Sequence, residues 1–133
     1  MTSDNNSYSY WFDMSDYDIE TAKAMLLTKR YLYVGFMCHQ VIEKAFKGFI
    51  AKSDSSKSIP YIHNLTKLGK QSGLYAELTE YDKDTLDILD PLNVEVRYPS
   101  AKEKLVASLT PIRCEEILQR TEDLYKWIKL KLV

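Results

Sequence analysis

Residues 34–50, VGFMCHQVIEKAFKGFI, decide how the chain is read. The stretch has no proline, and its apolar residues recur at helical spacing. Val34, Met37, Cys38, Val41, Ile42, Ala45, Phe46 and Phe49 share one broad face at about 100° per residue. His39, Glu43 and Lys47 follow one another at four-residue steps on the other side, edged by Phe36 and Ile50. A helix that is apolar on one side, with a charged ladder bordered by large apolar residues on the other, is usually central or lies at a partner interface. Phe36, His39, Glu43, Lys47 and Ile50 are therefore the expected interface residues.

Working outward toward the N-terminus, Ile19, Ala22, Met25 and Leu26 give a second helical stripe running to about Arg30. Ser15 is its expected N-cap, with Asp16 and Asp18 in a first turn that favours anions. Residues 31–33 make a link short enough to imply an antiparallel pair. Tyr10, Trp11 and Phe12 form an aromatic knot expected to dock onto the bundle. Residues 1–9 are read as a disordered tail, and residues 10–133 as one domain.

Toward the C-terminus, AKSDSSKSIP (residues 51–60) reads as a surface loop closed by Pro60. Asn64 is a good N-cap, Leu65 and Leu68 are core candidates, and Gly73 sits where a glycine ends a helix. Residues 74–81 are only weakly helical. From Asp82 the spacing of Leu86, Leu89, Leu92 and Val96 is helical again. Pro91 kinks that helix or splits it, with Asp90 capping the second piece. Leu105, Val106 and Leu109 mark a charged stretch, and Thr110-Pro111 reads as N-cap and first residue of the last helix. Cys114, Ile117, Thr121, Leu124 and Ile128 carry its core stripe. No stretch alternates in the manner of a strand. The fold expected is all-α: an antiparallel up-and-down bundle of four main helices with one or two short ones.

At 133 residues the chain is long enough for a core without disulfides or metals. Its net charge of −1 argues against a general nucleic-acid binder, which would show a basic excess. Charge is nonetheless uneven. Lys44, Lys47, Lys52, Lys57, Lys67 and Lys70 crowd the middle, and acids dominate from Glu77 to Glu95. These are two solvated faces of opposite sign, or a basic patch for a phosphate-bearing ligand or an acidic protein. Cys38 and Cys114 occupy apolar helical positions, as buried free thiols of a reducing compartment do. Adjacent Cys38 and His39 point about 100° apart on a helix, so no metal site is expected. The first residues lack a basic and apolar leader pattern and no run approaches membrane-spanning length, so a cytoplasmic location is expected.

Glycine-rich phosphate loops and the nucleophile-elbow pentapeptide are absent, and no cofactor is implied. His39 lies one turn before Glu43, which could fix its tautomer; local hydrogen bonding at a helix surface or interface is the structural alternative. His63 precedes an N-cap and could simply finish that turn. Arg97, directly before Tyr98-Pro99, is placed to hold an anion or a carboxylate bidentately. Lys44, Lys47, His63 and Arg97 are the candidate ligand-binding residues.

Taken in order, DIETAKAML (residues 18–26), HQVIEKAFK (residues 39–47), His63-Asn64-Leu65 and Arg97-Tyr98-Pro99 resemble the HEPN domain (higher eukaryotes and prokaryotes nucleotide-binding). The resemblance covers nearly everything after Tyr10. It implies a helical bundle that commonly forms a homodimer, often encoded beside a minimal nucleotidyltransferase in a toxin–antitoxin-like pair, with nucleotide or RNA as ligand. Many members are metal-independent ribonucleases that use an arginine, four to six further residues and then a histidine. Counting on from Arg97, those places hold Lys102, Glu103 and Lys104, and no histidine follows His63. The resemblance therefore implies a non-catalytic binding module. The alternative is a ribonuclease with an atypical set of Arg97, Tyr98 and His39 or His63, since cleavage at a 2′-hydroxyl needs a near-neutral base and a cation.

Overall fold

The computed structural model describes residues 8–53, 58–93 and 99–132. Its axis is α2 (Tyr31–Ser53), and Val34, Cys38, Val41, Ile42, Ala45 and Phe46 on that helix are wholly buried. Alongside it runs α1 (Tyr8–Leu27), with contacts in reverse register: Asp18 meets Lys44, and Phe12 and Trp11 meet Gly48. The pair is antiparallel and joined by a short link, but that link is residues 28–30; residues 31–33, expected to form it, open α2. The last helix, α6 (Pro111–Leu130), lies antiparallel to α1, with Lys23 against Glu122 and Lys129 against Asp16. Between them in sequence come α3 (Leu65–Ser72), α4 (Glu80–Leu89) and α5 (Pro99–Ser108), with 3-10 turns at Tyr75–Glu77 and Asp90–Leu92. Arg120 of α6 reaches Thr85 and the Tyr81 carbonyl, and Lys131 reaches Glu77, so α4 also runs antiparallel to α6. The chain is an all-α, up-and-down bundle, and the described residues form no strand.

Local chemistry sets several boundaries where the sequence puts them. Asn64 accepts from the Lys67 N–H at 2.9 Å, and Gly73 ends α3 with a left-handed φ of 84°. Thr110 accepts from the Arg113 N–H at 3.2 Å and Pro111 opens α6. Cys38 and Cys114 are buried free thiols, and burial pushes the Cys38 thiol up to about 12.

Three further expectations are corrected. Helix α1 begins at Tyr8, inside the stretch read as a tail, so the aromatic knot is its first turn rather than a segment before it. Ser15 is not a cap. It sits buried in mid-helix and donates to the Val41 carbonyl at 3.0 Å, so a cap-type residue here joins two helices. Asp90 likewise does not cap the piece after Pro91. Its carboxylate accepts from the Leu65 N–H at 3.1 Å and lies 3.4 Å from Asn64 Nδ2, completing the N-terminus of α3 from across the bundle.

At Gly48, α1 and α2 approach closely. A Cβ there would lie 2.6 Å from Phe12 Cε2 and 2.9 Å from Trp11 Cβ. The second atom is rooted near the α1 backbone and cannot swing aside. Overpacking of this kind costs about 1–3 kcal/mol, against a helix-propensity gain of about 1 kcal/mol. Gly48→Ala is therefore expected to lower the thermal midpoint. A raised midpoint would show that the helices do not approach so closely.

Candidate functional site

The charged ladder of α2 is not left open to solvent or to a partner. His39 is 0 %, Glu43 4 % and Lys47 6 % exposed within the single chain. Three segments close over it. Trp11 of α1 lies 5.8 Å from the Lys47 ammonium, His63 arrives on the segment before α3, and Asp90 comes from the turn after α4. Ile50 is buried as well. The expectation that His39, Glu43, Lys47 and Ile50 form an outward interface is thereby corrected; Phe36, the fifth, lines an open surface groove.

Glu43 is the centre of this cluster. Its Oε2 accepts from Lys47 Nζ at 2.9 Å and lies 3.0 Å from His63 Nδ1. A carboxylate taken out of water is stable only when paired and hydrogen-bonded, and these contacts meet that demand on one oxygen. Its Oε1 lies 3.5 Å from His39 Nδ1, too far for a hydrogen bond, and has no such partner among the described residues. His63 differs from the rest in that its side chain is 54 % exposed. A carboxylate that accepts the Nδ1–H fixes the tautomer, so the neutral ring offers a bare Nε2 outward.

His39 stands in a different environment. Neither ring nitrogen is hydrogen-bonded among the described residues, and Asp90 Oδ1 is 4.0 Å from Nε2. Burial holds this imidazole below its ordinary 6.5, opposed by the charges of Glu43 and Asp90. A depressed folded-state value means that the unfolded chain binds the proton first. The contribution of a neutral His39 is whole above pH 6.5 and is lost as pH falls through the lower folded value. Urea unfolding is expected to show stability declining as pH drops below that point, with a shallower decline in His39→Gln. An identical decline in the variant would remove His39 as its cause.

The candidate ligand set is only partly brought together. Lys47 and His63 converge on Glu43, but Lys44 forms a 2.6 Å ion pair with Asp18 of α1. Lys52 lies over the Tyr8 ring and Lys70 over the Tyr75 ring. These lysines of the middle region are thus dispersed among separate partners rather than pooled as one basic patch. Arg97 and Tyr98 fall outside the described residues. His39 cannot meet a ligand from solvent, which leaves His63 as the accessible imidazole.

Sequence reasoning missed Trp11 and Asp90 as members of this region. Asp90 before a proline carries a cap signature, and nothing local says that its carboxylate serves another helix. Trp11 offered one signal, an indole too large to stay in water; its ring, not its N–H, faces the site, and the N–H has no partner among the described residues. Among the described residues no group of three or more His, Cys, Asp or Glu is placed to hold a metal ion, and no helix is long and apolar enough to cross a membrane.

No curated protein and no solved structure matches the chain. The family model of the HEPN domain matches residues 8–131, which takes in every helix described above. With the helical bundle and the histidine-bearing stretches both accounted for by that match, the chain belongs to the HEPN domain family.

Proposed function

We propose that this HEPN domain is a non-catalytic binding module for a phosphate-bearing ligand, a nucleotide or RNA. It acts as a homodimer or beside a nucleotidyltransferase-type protein in a toxin–antitoxin-like pair. Family membership supports a nucleotide- or RNA-related role. The observation that carries the reading is the half-exposed His63 imidazole, held by a buried carboxylate that also binds Lys47. When protonated, such a ring is a directed, charge-assisted donor to phosphate oxygens.

Thermal shift with mononucleotides, dinucleotides and short RNA tests the ligand. Saturation at about 100 times the dissociation constant stabilises by about 2.7 kcal/mol, and His63→Ala is expected to abolish the shift. A flat panel with the wild type would overturn the reading. Light scattering tests the dimer, and a strictly monomeric species in the absence and presence of the paired protein would count against it.

One geometric fact favours a second reading, a ribonuclease with an atypical site. A neutral His63 with its Nδ1–H on Glu43 directs a basic nitrogen outward, as a general base must. Cleavage of RNA that disappears in His63→Ala and persists in EDTA would establish it. Intact RNA with the wild type would exclude it.

A further inference from the structure

At the opposite end of α2 from Lys47, an open groove of about 510 Å³ lies between the last turn of α1 and the first turns of α2. Met25, Thr28, Arg30, Tyr33, Phe36 and Met37 line it. The turn that shapes it is fixed. The Arg30 N–H donates to the Met25 carbonyl at 2.7 Å and the Lys29 N–H to the Leu26 carbonyl at 3.2 Å. This is the double closure that usually requires glycine, yet Lys29 adopts the left-handed φ of 65° here. Arg30 is thereby seated at the lip of the groove, directly ahead of α2.

The lining has a definite chemistry. Tyr33 and Phe36 meet edge to face, with ring centroids 6.5 Å apart and planes at 88°. Met25 and Met37 add flexible, polarizable surface that adapts to a ring. Arg30 is the one charged side chain of the lining, and it forms no ion pair among the described residues. The first turn of α2 has no acidic residue to neutralise it. Neighbouring Lys29 and the positive end of the helix dipole add to the same field. Apolar and aromatic walls beside one uncompensated guanidinium complement a ligand with a flat ring and a negative charge.

We propose that this groove binds a small aromatic anion, its ring against Tyr33, Phe36 and the two methionines and its carboxylate or phosphate on Arg30. The site is separate from His63. Glu43 lies thirteen residues beyond Arg30, about 20 Å at the rise of an α-helix.

The test is a titration of the isotope-labelled full chain, followed by amide correlation spectra, with four probes. AMP and naphthoate supply the two kinds of anion; adenosine and naphthamide are their neutral counterparts. Shifts confined to residues 25–37 are expected for at least one anion, with its neutral counterpart about tenfold weaker. A response to AMP alone identifies a phosphate site, and a response to naphthoate alone a carboxylate site. Arg30→Gln is expected to weaken the responding anion about tenfold without changing the unfolding midpoint, because the side chain is exposed. No shifts at these residues at millimolar probe, equal binding of anion and neutral analogue, or an unaffected Arg30→Gln would each overturn the proposal. His63→Ala is expected to leave the groove shifts unchanged, so the groove and the His63 reading fail independently.

Discussion

Glu43→Gln is expected to destabilise the protein by about 3–5 kcal/mol, far more than one hydrogen bond is worth. The change keeps the size of the side chain and removes its charge. Lys47, only 7 % exposed in its side chain and 2.9 Å from the carboxylate, would then be a buried cation without a counter-ion. The cost lies in what is left behind, so it can be relieved. Lys47→Met in the same background is expected to recover much of the loss, since neutralising both members of a buried pair is often nearly neutral. Urea unfolding of the wild type, the two single variants and the double completes the cycle. Additive losses would mean that the two side chains do not interact as their distance implies.

Phe46→Ala is expected to cost a similar amount, about 3–5 kcal/mol, by a different route. Phe46 is among the largest wholly buried side chains and bridges α2 to α3. A Cβ on Gly69 would lie 3.3 Å from its Cζ and 3.5 Å from its Cε2. Gly69→Ala therefore crowds the ring in the wild type. Once the ring is gone, the same methyl is expected to fill part of the cavity and to gain about 1 kcal/mol of helix propensity. Gly69→Ala should thus be less favourable with Phe46 present than without it, and a coupling of opposite sign would contradict the packing described.

The architecture was largely legible in the residues. The apolar stripe of residues 34–50 gave the central helix, because burial on one face imposes the helical period. Asn64, Gly73 and Thr110-Pro111 gave true helix ends, because caps act on backbone groups a few residues away. Ser15 and Asp90 misled for the converse reason. Both can serve as caps, and here each spends its side chain on a distant segment, Val41 and Leu65 respectively. The candidate site was half legible. Periodicity placed His39, Glu43 and Lys47 on one strip of α2, which the structure buries rather than presents. It carries no information on what lies above a strip. The cover comes from Trp11, from His63 twenty residues past Glu43 and from Asp90, and those approaches depend on the folded path of the chain.

The central claim is that the α2 ladder closes on this chain itself and, through Glu43, presents an oriented His63. Long-range nitrogen–proton NMR of the histidine side chains in mildly alkaline buffer tests it directly. An imidazole free in water favours the tautomer with its proton on Nε2. His63 held by Glu43 is expected to carry it on Nδ1, with Nε2 bare. A His63 spectrum showing the ordinary Nε2–H tautomer would contradict that claim.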